Sequence, residues 1–166
     1  SDVCSSDLKA QTFRDFEWLI VDDGSSDGTV ELVAGWQAEG LVPIRYEPLP
    51  HGGAHRVHNH CLTSACGQLY IKLDSDDACE PQALERYWLH WNAIPEADRV
   101  GFSGVTALCH DQNGKLVGTL FPTDPLDCSA AELEYVHKVT GEKWGFLRLD
   151  VLRQFAFPEA AGNFIP

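Results

Sequence analysis

Short apolar runs alternate with amphipathic stretches along the chain, and Gly, Pro or clusters of acidic and hydroxyl side chains mark the boundaries. Glu17-Trp18-Leu19-Ile20-Val21 is rich in aromatic and β-branched residues and closes on Asp22-Asp23-Gly24-Ser25-Ser26-Asp27-Gly28. That pattern predicts a buried strand ending in a turn. Ser26 or Asp27 can cap a following helix over about 29–39, where Leu32, Val33 and Trp36 share one side and Gly40 ends the pattern. A second strand falls at 42–46, with Pro43 near its start or at a sheet edge. Ala54, Val57, Cys61, Leu62 and Ala65 then recur at helical spacing before Gly67. A third strand, 69–73, runs into Asp74-Ser75-Asp76-Asp77. Pro81 is placed to open the next helix, where Leu84, Tyr87, Trp88 and Trp91 give the clearest amphipathic stripe in the chain.

Further on, the pattern predicts a fourth strand at 100–105 and a hairpin turn over Asp111–Lys115 leading to a strand at about 116–119. Ser129 and Glu132 form a capping box opening a helix to about His137. A late strand follows at 144–147, and Asp150 can cap a final short helix. Strands alternating with helices predict an α/β fold, a mainly parallel sheet flanked by helices in a single domain. The opening residues Asp2 to Leu8 show neither helical nor strand periodicity and resemble a translated sequencing adapter. Residues 1–8 are accordingly read as a non-native scar and residues 9–166 as the domain. The far end, Phe155 to Pro166, stops inside an apolar segment, so the chain reads as an internal fragment.

Composition narrows the function. The 166 residues carry 12 Lys+Arg against 25 Asp+Glu, a formal net charge of -13, which repels phosphate backbones and argues against a nucleic-acid partner. An anionic ligand would need a metal ion or a local basic pocket. No run approaches the roughly 18 apolar residues of a membrane helix, and no secretory signal opens the chain. A cytoplasmic location follows as the expectation, the inner membrane face included. The six cysteines form no C-x-x-C pair and read as reduced thiols, with Cys61 and Cys66 packing as small hydrophobes.

Two predicted strands end in acidic clusters, and in an open parallel sheet the C-terminal strand ends are where ligands bind. With the backbone extended, Asp74 and Asp76 would project to one side and repel unless a cation sits between them. Hard oxygen donors with no Cys or His favour Mg²⁺ or Mn²⁺, which takes its other ligands from water and substrate phosphates. Such an ion suits a nucleoside diphosphate leaving group. Either cluster can equally be a turn with a helix cap. The Asp23–Gly28 stretch also matches the start of a calcium loop, but its twelfth position is Ala34 where a bidentate Glu is required.

Taken together, Gln11-Thr12-Phe13 with Glu17 to Thr29, then His51-Gly52-Gly53-Ala54-His55-Arg56-Val57-His58-Asn59, then Leu73-Asp74-Ser75-Asp76-Asp77 with Pro81, resemble the motifs of family 2 glycosyltransferases in order. The resemblance implies a GT-A, Rossmann-like fold whose first strand and C-terminal part are missing. It implies transfer of a sugar from a nucleotide-diphosphate sugar, a UDP-sugar most often, to an acceptor hydroxyl with inversion, on a carbohydrate or lipid-linked acceptor. Asp22 and Asp23 would hydrogen-bond the base or ribose, with Gly53 at the helix entry. Asp74 would sit near the ribose and metal, and Asp76, the catalytic residue, would ligate the metal that bridges the diphosphate. Arg56, or His55, would approach the diphosphate, and Asn59 would be a nucleotide ligand or a helix-to-loop tether. The general base lies near or beyond Pro166 in the family; Glu142 and Glu159 are available here without motif support. A nucleotidyltransferase that forms nucleotide sugars, which would carry a Gly-rich basic loop after its first strand, and a non-catalytic nucleotide-binding remnant are the competing readings.

Weaker constellations add little. His51, His55, His58 and His60 cluster without a completing Cys pair, so surface or pocket-lining histidines outweigh a zinc site. The Leu84, Tyr87, Trp88, Trp91 stripe reads as core rather than a sugar platform. Trp144 reads as core, with stacking on an acceptor sugar as the alternative.

Overall fold

A computed structural model describes residues 2–158. Helix α1 (Asp2–Ala10) leads to β1 (Trp18–Asp22), α2 (Thr29–Glu39), β2 (Ile44–Pro48), α3 (Ala54–Ser64) and β3 (Leu69–Ile71). Helix α4 (Ala83–Ala93), β4 (Gly104–Leu108), β5 (Lys143–Arg148) and α5 (Leu149–Leu152) complete it, with a 3₁₀ turn at Arg99–Gly101 and a π-helical turn at Glu132–Val136. The predicted α/β class and the order of the first four strands and three intervening helices stand.

Strands β1 and β2 pair in parallel, Trp18 opposite Ile44 through Asp22 opposite Pro48. Pro43, lacking an N–H to give, sits just ahead of β2 and accepts the Trp18 N–H at 2.8 Å. Helix α2 stops at Gly40, whose φ of 64° lets its N–H turn back to the Gln37 carbonyl. The remaining strands form a second sheet in the order β3-β5-β4, with β5 antiparallel to both neighbours. Among the described residues parallel pairing is thus confined to β1–β2. β3 and β4 run parallel to each other but are separated by β5, because the long 109–142 connection lets β5 return between them. Gly145 on β5 is required there: a Cβ would lie 2.1 Å from the Val105 carbonyl oxygen.

Helix α4 lies over this sheet. Tyr87, Trp91 and Phe146 are buried together with Leu69, Ile71 and Val105 against them. Tyr87 and Trp91 both meet Phe146 edge-on, with ring centroids 6.1 and 5.6 Å apart, the geometry the ring quadrupoles favour. The buried stripe therefore runs Ala83, Tyr87, Trp91, and Trp88 turns aside, 40% exposed, against Phe13. Trp144 belongs to the core as well, packing edge-on to Tyr87, whose hydroxyl donates to its carbonyl.

Several local expectations change. The opening residues form a helix, docked by Leu8 against Cys79 and Trp18 and by the fully buried Gln11, which donates to the Glu80 carbonyl and accepts from the Leu84 N–H. Lys9 adds an ion pair to Glu39 at 2.7 Å and lies over the Trp36 ring. These are contacts to distant segments, so a nine-residue stretch with few apolar positions carries no visible period. The fourth strand begins at Gly104, later than predicted, because 99–101 coil into a 3₁₀ turn. No strand forms at 116–119; a single His110–Leu116 bridge stands there, and Asp111 takes the Asn113 and Lys115 N–H groups to hold the turn. The Ser129–Glu132 capping box forms reciprocally, but the helix it opens is one π-helical turn. Cys61, Cys66, Cys79, Cys109 and Cys128 are free thiols, and Cys66 is exposed rather than packed. Among the described residues no helix is long and apolar enough to cross a membrane.

Candidate functional site

The end of β1 and the entry to α3 meet in one turn. Gly24 follows Asp23 at φ +80°, and a Cβ there would lie 2.9 Å from the His51 nitrogen, so this close approach needs glycine. The Asp23 carboxylate accepts the Gly52 N–H at 2.8 Å on one oxygen and the Gly53 N–H at 2.9 Å on the other. His51 Nδ1 lies 3.0 Å from the same carboxylate and 3.1 Å from the Asp23 carbonyl. Partial desolvation pushes the Asp23 carboxyl upward, but the two backbone donors and His51 outweigh it and hold the group below its ordinary range. Gly53 then takes φ 94° and opens α3. The Arg56 side chain folds back over Gly52, where a Cβ would come within 2.5 Å of its Nη1. Asp23, Gly53 and Arg56, predicted as site residues, are thus brought together.

Asp22 is turned elsewhere. It is buried, one oxygen accepting the Ser25 N–H at 2.8 Å and the other the Tyr46 hydroxyl. Ser25 and Tyr46 hold its carboxyl low, and the same contact pushes the Tyr46 phenol up to about 12. Both of its oxygens serve the turn that presents Asp23. Tyr46 had no signature of its own; only the β1–β2 register, which sets it opposite Ile20 and two residues short of Asp22's partner, exposes the pairing.

The acidic turn after β3 departs from the extended geometry. The strand ends at Ile71, and the Asp77 N–H returns to the Asp74 carbonyl at 3.1 Å, closing a turn. Asp74, Ser75, Asp76 and Asp77 are exposed, and Lys72 Nζ lies 2.7 Å from an Asp74 carboxylate oxygen. The Trp144 indole N–H donates to the Lys72 carbonyl at 2.5 Å and so ties this turn to β5. Lys72 and Trp144 are the neighbours that sequence reasoning did not supply. Among the described residues no group of three or more acidic, His or Cys side chains is placed to hold a metal. Two exposed hard-oxygen carboxylates are nonetheless the donor set that Mg²⁺ uses when water and phosphate complete its shell.

Asn59 meets the backbone of the last described segment. Its Nδ2 donates to the Phe157 carbonyl at 2.8 Å and its Oδ1 accepts the Phe157 N–H at 2.9 Å, which is the tether geometry. The histidines diverge: His51 lies on Asp23, His60 on Glu47 at 2.5 Å, and His58 sits edge-on to Tyr70 and Phe157. Burial and the Lys72 charge hold the His58 imidazole below its usual range. His55 is 6% exposed, and both its ring nitrogens are without a hydrogen-bond partner. Divergence of this kind gives no shared zinc site. Glu142 is exposed in the loop before β5, and Glu159 lies outside the described residues.

The family model described as "Glycosyl transferase family 2" matches residues 3–115, a range that begins inside α1. Chondroitin synthase of Pasteurella multocida is 36% identical over 83 residues, covering 49% of this chain and 8% of that protein. The uncharacterized glycosyltransferase YibD of Escherichia coli is 25% identical over 150 residues, covering 90% of this chain and 35% of that protein. The chain therefore spans about a third or less of these relatives' lengths. Among solved structures, S. aureus TarS in complex with UDP superimposes with a TM-score of 0.52 at 25% identity, covering 55% of this chain and 28% of that one. A second TarS structure covers 95% of this chain and 28% of its own, with a TM-score of 0.60 at 20% identity, a likeness of fold.

Proposed function

This chain belongs to glycosyl transferase family 2 and has the α/β architecture of a partial GT-A fold, and from that premise we propose that its protein transfers a sugar from a UDP-sugar to an acceptor hydroxyl, with inversion. The observation that carries the proposal is the meeting of Asp23 with Gly52, Gly53 and Arg56 at the entry to α3, in a chain similar to a structure bound to UDP. Asp22 and Tyr46 brace the turn, and Asp23 fixes the Gly52–Gly53 backbone while keeping lone pairs for a base or ribose donor. Arg56 is the exposed cation beside this turn and would approach the diphosphate, the local positive charge that a chain of net charge -13 requires.

Asp76 and Asp74, the latter now paired with Lys72, would hold Mg²⁺ or Mn²⁺. When bound, that ion would stabilise the charge developing on the diphosphate. For inversion the acceptor oxygen attacks the anomeric carbon as the bond to the diphosphate breaks, and a base removes the hydroxyl proton. Asn59 is assigned no donor contact, since both its amide atoms are engaged with Phe157. The acceptor is a carbohydrate or lipid-linked sugar, and the protein works in the cytoplasm or at the inner membrane face.

Calorimetric titration of UDP with and without Mn²⁺ tests the reading. Binding that strengthens with Mn²⁺ and loses that gain in Asp76→Asn is the expected result. A gain unchanged in Asp76→Asn overturns the metal assignment, and no UDP binding under either condition overturns the donor assignment.

A further inference from the structure

The last described segment is held along α3 at two points. The Arg153 guanidinium donates to the Leu62 carbonyl at 2.8 Å and to the Ala65 carbonyl at 2.9 Å, capping the C-terminal end of the helix. Four residues later, Asn59 takes both the N–H and the C=O of Phe157, a two-bond clamp of the kind one strand gives another. The Phe157 ring closes on His58 at 5.1 Å, and His58 meets Tyr70 of β3 on another side. Residues 153–158 therefore form a strap that leaves the β3-β5-β4 sheet through α5 and runs toward the N-terminal end of α3. At Phe157 it stands six residues from Gly53, about 9 Å at the helical rise.

The groups assigned to the donor lie on β1, at the entry to α3 and on the turn after β3; the strap comes from outside all three. The strap passes beside that entry and, through His58, meets Tyr70 of β3, so it borders the donor groups without being one of them. We propose that Asn59 is a positioning residue of the transfer reaction, fixing the path of the 153–158 strap along α3 and so shaping the acceptor side without touching the donor. The inference rests on the glycosyltransferase reading. The clamp's geometry explains why an amide is needed: only a side chain with both a donor and an acceptor can satisfy both the N–H and the C=O of Phe157. Aspartate would keep the Phe157 N–H bond but set an oxygen against the carbonyl.

Three readouts on the full-length protein test this. They are UDP affinity by calorimetry, UDP release from UDP-glucose or UDP-N-acetylglucosamine with a mixed oligosaccharide pool as acceptor, and hydrogen exchange at the Phe157 amide. Asn59→Ala should speed Phe157 exchange and lower acceptor-dependent kcat/KM on the order of 10- to 100-fold, the cost of small misplacement, while the Kd for UDP stays within about twofold. Asn59→Asp should do the same to transfer, and it carries the test if the alanine variant does not fold. Loss of UDP affinity by the same factor as transfer would make Asn59 a donor ligand and overturn the proposal. So would unchanged Phe157 exchange, or faster exchange with unchanged transfer. A wild-type protein that transfers normally in those cases leaves the glycosyltransferase reading standing; one that binds no UDP and releases none overturns that reading and this proposal with it.

Discussion

The Asp23 carboxylate offers a quantitative test, because it organises the turn by accepting two backbone N–H groups. Asp23→Asn keeps the shape and one acceptor oxygen but places an NH₂ group against one of the two glycine N–H donors that now lie at 2.8 and 2.9 Å. A hydrogen bond to a charged group contributes about 1.5–3 kcal/mol, and the donor-to-donor contact adds to its loss. The side chain is 27% exposed, so water relieves part of the cost. The net expectation is a destabilisation of about 2 kcal/mol at pH 7, with the midpoint of thermal unfolding lowered by roughly 4–8 °C for a chain of this size. Urea unfolding followed by circular dichroism gives the free energy, and an unchanged denaturant slope confirms that the unfolded state is not the cause. The pH dependence supplies a control. The folded carboxyl lies below its ordinary 3.8, so its contribution is present above that value and is lost as pH falls through the lower, folded one. Wild type and variant should therefore converge in acid. A difference below about 0.5 kcal/mol at neutral pH, within the range of ordinary surface substitutions, would refute the clamp.

Two further substitutions examine the core and the brace. Trp91→Ala, at a buried position packed on Phe146, should cost about 3–5 kcal/mol in urea unfolding, whereas Trp88→Ala at the exposed edge of α4 should cost about 1 kcal/mol; equal losses would put the stripe back where the sequence drew it. Tyr46→Phe should raise the Asp22 carboxyl, read by carbon NMR titration, since the lost hydroxyl favours the ionised form. In the wild type, ultraviolet titration should find one phenol that ionises only near pH 12, and its contribution to stability declines as pH climbs from 10 toward that value.

Much of the first half was legible because its signals are local. Trp18–Asp22, the glycines after it, the helix closed by Gly40 and the helix opened by Gly53 each depend on residues within a turn or two of one another, and the sequence motifs coincide with the elements found. The acidic pairs were legible as chemistry but not as geometry. Asp22 and Asp23 are adjacent, yet they face different partners, Asp22 at the end of β1 toward Tyr46 and Asp23 in the turn after it toward the entry to α3. Asp74 and Asp76 were drawn as an extended pair, whereas the short β3 hands over to a turn that Trp144 pins from 72 residues away.

What the sequence determined by itself is therefore the family, the α/β class and the residue types at the candidate site, because local periodicity, glycine placement and hard-oxygen clusters are written in consecutive positions. Tertiary structure alone decided three things: that α1 is a helix, that β5 enters antiparallel between β3 and β4, and that Asn59 grips Phe157. Each depends on partners far apart in the chain, up to 98 positions for Asn59 and Phe157, whose meeting is fixed by burial and by the pairing of backbone groups rather than by local sequence pattern.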